Sequence, residues 1–235
     1  MPPASNSPHE FACLRFTVLL PMACSALLLS QGLLGAPAPG APSEAQVRFV
    51  QARMTFEAGR NGSADAVSLA QQQFHSLLSV EPANPLYLAY LGSTYTLQAR
   101  TSTLPWTKIH LVNKGVEILD QALDTLRTSE SRARPVDPSA QLETRLVAVA
   151  TYIALPDALF HRMAAAKRTL QEAVSNPAFA RADADLRGHL IYERALIARE
   201  ERDVATERSA LSQVIAIAPP SIDAAGLRER LAQLP

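Results

Sequence analysis

The sequence is poor in cysteine, and its two cysteines, Cys13 and Cys24, lie in one apolar stretch near the N-terminus. If that stretch is removed, the remaining chain has no thiol for a disulfide bond, a cysteine–metal site or a cysteine nucleophile. The chain also lacks an excess of either charge, with 22 basic and 22 acidic residues. Because there is no broad basic field, the composition argues against binding to nucleic acid.

Glycine and aromatic residues are scarce as well, whereas alanine and leucine dominate. Strands favour β-branched and aromatic residues, while alanine and leucine are strong helix formers. The alternating apolar pattern of strands, bounded by turn glycines, is missing. The composition therefore predicts an all-α protein.

The familiar motifs of enzymes are also missing. The sequence has no G-x-S-x-G elbow, Walker loop or dinucleotide fingerprint, and no histidine pair at the i, i+4 spacing of zinc ligands. Glu117, Asp120 and Asp124 share one helix face, where a solvated surface is expected more often than a cation site. We therefore expect a non-enzymatic protein with no catalytic residue, no cofactor and no metal.

The N-terminal region has the order of a secretory signal. Residues 16–34 are uncharged and mostly apolar, Arg15 precedes them, and a segment rich in alanine, glycine and proline follows. We predict that residues 1–36 are a signal peptide or an N-terminal membrane anchor, and that residues 37–43 are a spacer. A lipid-modified Cys24 and a buried core helix are weaker alternatives. The three leading interpretations place the rest of the chain outside the cytoplasm, with membrane contact only through an uncleaved N-terminal segment.

From Ser43 onward, apolar residues recur at helical spacing. Ser43 and Gln46 form a capping-box signature, and Asn84-Pro85 and Asp137-Pro138 place a capping residue before a proline at the first helical position. The clearest apolar stripe runs from Ile109 through Leu126. Helices are predicted at about residues 43–58, 139–154, 157–174, 182–199, 204–218 and from 221 onward. Between the first two of these, one helix has its apolar stripe from Val67 to Leu77 and stops at Glu81-Pro82, a second opens at Asn84-Pro85 with a stripe as far as Tyr95, and a third carries the stripe from Ile109 through Leu126.

These helices resemble one another in pairs. The residues that carry the pattern are Leu88-x-x-Leu91-Gly92-x-x-Tyr95 for a first helix, and Ala70-x-x-x-Phe74, Gly115-x-x-x-Leu119 and Ala166-x-x-x-Leu170 for second helices. They resemble the motif of bacterial tetratricopeptide-repeat (TPR) proteins. The resemblance implies that Gly92 and its counterparts are small because the two helices of a hairpin touch closely there. The stretch from Gly92 to Leu123 is similar to a poorly characterised exported subgroup. The steps between these second helices all exceed the about 34 residues of a regular repeat.

The resemblance implies a right-handed solenoid of about four irregular α-hairpins and a C-terminal capping helix over residues 44–235. First helices line the concave face of such solenoids, and this face is their usual binding surface. The candidate groove residues are Ser93, Thr96, Arg145, Tyr152, Tyr192 and Arg199. Trp106, the only tryptophan, is either a plug that closes a hairpin or an anchor for a partner.

We therefore expect a protein–protein interaction scaffold of the bacterial cell envelope, periplasmic or anchored in the membrane and facing the periplasm, that binds a protein or peptide. An exported helical protein that binds a small ligand, or an enzyme without a standard motif, is the alternative. A structural subunit that works by oligomerising is a third hypothesis.

Overall fold

The computed structural model describes residues 43–131 and 136–235, and within these ranges the chain is helical without a β-strand. The predicted N-terminal segment, residues 1–36, and the spacer up to residue 42 lie outside the described residues. The α-helices are α1 (Glu44–Arg60), α2 (Ala64–Val80), α3 (Pro85–Thr101), α4 (Pro105–Ser131), α5 (Pro138–Ile153), α6 (Asp157–Phe160), α7 (Met163–Ser175), α8 (Ala184–Glu200), α9 (Val204–Ile217) and α10 (Ala224–Gln233), with a short 3-10 helix at Phe179–Arg181.

The sequence signals for helix starts are confirmed. Ser43 and Gln46 form a reciprocal capping box at the start of α1. The Asn84 side chain accepts hydrogen bonds from the backbone N–H groups of Leu86 and Tyr87, and Asp137 caps α5 in the same way. Each of these two caps precedes a proline at the first helical position. Proline has no N–H group, and it is tolerated there because an N–H at that position has no acceptor within the helix.

The helices pack in consecutive pairs: α1 with α2, α3 with α4, α5 with α7, and α8 with α9, while α10 covers α9. Neighbouring pairs also meet through their first helices, since α3 contacts α1 and α5, and α5 contacts α8. In α3, every residue from Pro85 to Leu97 is buried. This helix therefore lies at the centre of the N-terminal half of the molecule.

The close approach of α3 and α4 depends on Gly92 and Gly115. A Cβ atom on Gly92 would lie 2.6 Å from the Gly115 carbonyl oxygen, and one on Gly115 would lie 2.5 Å from the Gly92 oxygen. This contact confirms the prediction that Gly92 is small because the two helices of a hairpin touch there. It explains why glycine, otherwise poor in a helix interior, occurs at both positions.

An aromatic cluster fills the space between α1, α2 and α3. The ring of Tyr90 stacks on Phe74 with centroids 5.1 Å apart and meets the edge of Phe56 at 5.0 Å. Its hydroxyl donates a hydrogen bond of 2.6 Å to Glu143 on α5. Burial raises the pKa of the Tyr90 hydroxyl well above its usual value, so Tyr90 remains a hydrogen-bond donor.

Two details differ from the sequence-based expectation. The helix predicted over residues 157–174 is interrupted, because His161 adopts a left-handed conformation (φ 51°) that ends α6 before α7 begins. Ile109, assigned to the apolar stripe of α4, is 51 % exposed. The buried stripe of α4 begins at Val112 instead.

Candidate functional site

The C-terminal pair α8 and α9, together with α10, encloses the cleft that we consider the candidate site. Asp183, Asp203 and Asp223 cap the three helices through their side chains. Ala218 takes a left-handed conformation (φ 50°) at the end of α9, and the following prolines prevent the helix from continuing. These caps and breaks fold α10 back against α9, so that residues of α8, α9 and α10 line one cleft.

The turn before α10 is held by a chain of hydrogen bonds. The Ser221 hydroxyl lies 2.7 Å from Asp185 Oδ1 and 2.8 Å from His189 Nε2. The Ser221 backbone N–H also donates to Asp185 at 3.0 Å. In a hydrolytic triad the histidine sits between hydroxyl and carboxylate, whereas here the serine does. These three residues therefore fix a turn and lack the order of an activated nucleophile.

The cleft has a volume of about 400 Å³ and an apolar floor. The floor consists of buried aliphatic side chains: Ala195, Leu211, Ile222 and Leu227. This volume is at the lower end of the roughly 300–1,000 Å³ that small-ligand pockets occupy. The cleft therefore has room for one or two large side chains of a partner.

One wall of the cleft is an ion pair between α9 and α10. Arg230 donates hydrogen bonds to both oxygens of Glu207, at 2.8 and 3.1 Å, and Glu207 is buried. These hydrogen bonds raise the pKa of the Arg230 guanidinium. The pair was not predicted, because nothing in the sequence shows that residues 23 positions apart in the chain meet.

Two predicted groove residues, Tyr192 and Arg199, line this cleft. They are seven residues apart on α8 and therefore share a face two turns apart. Burial raises the pKa of the Tyr192 hydroxyl, while the Arg199 charge acts to lower it. Tyr192 is thus a protonated donor near the exposed guanidinium of Arg199.

Two other predicted groove residues, Ser93 and Thr96, are buried on α3. The Ser93 and Thr151 hydroxyl oxygens are 2.9 Å apart, and Thr96 donates to the Ser93 carbonyl at 2.8 Å. The Ser93 hydroxyl therefore joins α3 to α5, whereas the Thr96 hydroxyl bonds within α3, on the side that faces Gly115 of α4. Because both side chains are buried, neither hydroxyl reaches an open surface.

Arg145 and Tyr152, also predicted for the groove, are buried as well. Arg145 donates two hydrogen bonds, of 3.0 and 2.8 Å, to Glu130 and lies 3.7 Å from Glu172. Tyr152 donates to Asp120 at 2.6 Å. Both side chains connect helices within the chain, so in this conformation neither is available to a partner.

The carboxylates of α4 lie along a second, polar groove. Glu117, Asp120 and Asp124 line it with serine and threonine side chains, and its volume is about 540 Å³. Asp120 accepts from Tyr152 and, at 2.9 Å, from Arg162, and Asp124 pairs with Arg127 at 2.9 Å. Two of the three carboxylates are therefore occupied by internal contacts.

Among residues 43–131 and 136–235, no group of three histidine, cysteine, aspartate or glutamate side chains is placed to hold a metal ion. Within the same ranges, no helix is both long enough and apolar enough to cross a membrane. Trp106 lies in the first turn of α4 and is 68 % exposed. The interpretation of Trp106 as a plug is therefore wrong, and its role as an anchor stays a prediction.

No family model, curated protein or solved structure matches this chain.

Proposed function

We propose that this protein is a non-enzymatic protein–protein interaction scaffold, built as an irregular TPR-like solenoid of four hairpins and a C-terminal capping helix. The consecutive pairing of helices and the contacts between successive first helices support this arrangement. The observation that carries the function is the cleft between α8, α9 and α10, which joins an apolar floor to Tyr192 and Arg199. Tyrosine and arginine beside apolar pockets are typical of protein-binding surfaces.

The chemistry of the cleft favours binding over catalysis. Its polar side chains are Tyr192, Arg199, Asp223 and the paired Glu207 and Arg230. Asp223 is engaged in capping α10, and Glu207 is engaged by Arg230. No serine, histidine or lysine lines the cleft among the described residues, so it lacks the usual nucleophile and base of a hydrolytic site.

We place the scaffold in the bacterial cell envelope on the basis of the signal-like residues 1–36. Trp106, exposed in α4, is proposed as a second contact with the partner. Measuring the N-terminal residue of the protein recovered from cell fractions tests the location. Recovery in the cytoplasmic fraction with an intact N-terminus would contradict export.

The scaffold function is tested by affinity capture of the full chain from native cells, followed by mass spectrometry. The same capture is run with Arg199→Glu and with Arg194→Glu, an exposed arginine on the same helix that does not line the cleft. We expect a partner that is retained by the wild type and by Arg194→Glu but lost with Arg199→Glu. Absence of a specific partner would count against the scaffold, and equal recovery of a partner by all three proteins would exclude the cleft as its binding site.

A further inference from the structure

The charged side chains around the C-terminal cleft differ in whether they have a partner within the protein. Both oxygens of Glu207 accept from Arg230, and Asp223 accepts from the first N–H groups of α10, Ala225 and Gly226. Arg199, in contrast, takes part in none of the ion pairs found among the described residues. Among the described residues that line the cleft, Arg199 is therefore the cation available at the rim, and the carboxylates are already engaged.

The apolar floor begins one turn away from that cation. Leu196 and Ala195 precede Arg199 by three and four residues on α8, and both line the cleft. They therefore lie about 4.5–6 Å from it along the helix axis. An extended peptide advances about 6.6 Å over two residues, and residues i and i+2 point to the same side. The distance along α8 from Arg199 to the apolar floor therefore differs from the two-residue advance of the peptide by less than the rise of one extended residue, about 3.3 Å.

We propose that the cleft binds an extended peptide segment in which an acidic residue and a large apolar residue are separated by one position. The acidic side chain pairs with Arg199, and the apolar side chain lies over Ala195, Leu211 and Leu227. The Tyr192 hydroxyl donates to a peptide carbonyl two helical turns from Arg199. This inference rests on the proposed scaffold function and names the chemistry of the partner.

Charge complementarity is the reason for choosing an acidic peptide. An acidic side chain satisfies Arg199, and an apolar side chain displaces water from a floor of aliphatic residues. A basic peptide would place like charges beside Arg199 and the paired Arg230. The volume of about 400 Å³ accommodates side chains of a peptide whose backbone remains at the rim.

The test is selection from a displayed library of random dodecapeptides on the purified full chain. The wild type is compared with Arg199→Glu and with the matched control Arg194→Glu, and circular dichroism checks that all three are folded. The wild type and Arg194→Glu should enrich an acidic residue two positions from Leu, Ile, Phe or Met. Arg199→Glu should lose these sequences and enrich Lys or Arg at the acidic position.

The best peptide is then synthesised with a fluorescent label for polarisation measurements. Changing the acidic residue of the peptide to the amide should weaken binding about tenfold, and so should Arg199→Ala in the protein. The two changes combined should weaken binding no more than either change alone, because both remove the same interaction. Tyr192→Phe should weaken binding by a smaller factor.

Three results would overturn the inference: no enriched peptide, enriched peptides without an acidic residue, or enrichment that Arg199→Glu leaves unchanged. Capture of a folded partner that depends on Arg199, without any enriched peptide, would leave the scaffold function standing and remove only the linear acidic segment. Binding of a small carboxylic acid in place of peptides would overturn both.

Discussion

A Cβ atom on Gly92 would lie 2.6 Å from the carbonyl oxygen of Gly115, so α3 and α4 touch backbone to backbone. The obstructing atom belongs to the main chain of α4 at the buried Gly115 and cannot rotate away. Alanine at Gly92 must therefore push the two helices apart. Because α3 is buried along most of its length, that displacement extends to α1, α2 and α5.

We expect Gly92→Ala to lower the free energy of unfolding by about 2–3 kcal/mol, although alanine is the better helix former. Chemical denaturation measures the loss. Gly226→Ala on α10 is the matched control, since the nearest atom to its Cβ is a side-chain oxygen of Asp223 at 3.2 Å. It should change the stability by less than about 1 kcal/mol. An equal loss in both variants would disprove the backbone contact.

Arg145 is the second target, because its side chain is only 5 % exposed and bonds to Glu130. Arg145→Met removes the guanidinium and leaves Glu130 and Glu172, both more than two-thirds buried, without this partner. We expect a loss of about 2–4 kcal/mol in unfolding free energy. Arg199→Ala, at an exposed position, should stay within about 0.5 kcal/mol of the wild type. If Arg145→Met is as stable as Arg199→Ala, the internal role assigned to Arg145 is incorrect.

Glu193 on α8 provides a prediction about pH. It is buried, one of its carboxyl oxygens has no hydrogen-bond partner among the described residues, and burial raises its pKa from 4.5 to about 7. The folded state therefore holds a proton that the unfolded state releases, and stability falls as pH rises from about 4.5 to 7. In the wild type, this proton lowers the free energy of unfolding by about 3 kcal/mol between these two pH values, and Glu193→Gln should abolish that decrease. The measurement is the difference between the two stability–pH curves, and parallel curves would exclude a protonated Glu193.

His189, one turn earlier on α8, should act in the opposite direction. Burial lowers its pKa from 6.5 to about 4, against the influence of the nearby Asp185. The unfolded state binds the extra proton between these values, so His189 makes stability rise as pH increases from about 4 to 6.5. Relative to the wild type, His189→Gln should lose that rise of about 3 kcal/mol. A difference curve with the same sign as that of Glu193→Gln would refute this assignment.

Trp106 supplies the last prediction. Its ring is largely exposed in the first turn of α4, and Leu104 and Ile109 beside it are also exposed. Trp106→Ala should change the melting temperature by no more than about 2 °C, because little buried area is lost. It should reduce the amount of partner recovered in affinity capture. Unchanged recovery would remove Trp106 from the proposed contacts.

The local features of this protein follow from the sequence alone. The capping residues Ser43, Asn84 and Asp137 start helices where predicted, because a side chain that satisfies free N–H groups acts within three residues. The contact made by Gly92 was also predicted, from its position in the repeat motif, where the two helices of a hairpin touch. The helical class, the pairing of successive helices and most helix bounds could likewise be predicted from the sequence.

The tertiary structure decided which polar residues are accessible. The repeat resemblance places Ser93, Thr96, Arg145 and Tyr152 in the groove, yet the structure buries all four. Periodicity assigns a face to one helix, but the neighbours that cover that face come from distant parts of the chain. The pair Glu207–Arg230 and the cleft beside Tyr192 and Arg199 arise in the same way, where α10 folds back against α9. The sequence determined where the helices begin and how they pair, and packing alone decided which surface remained open.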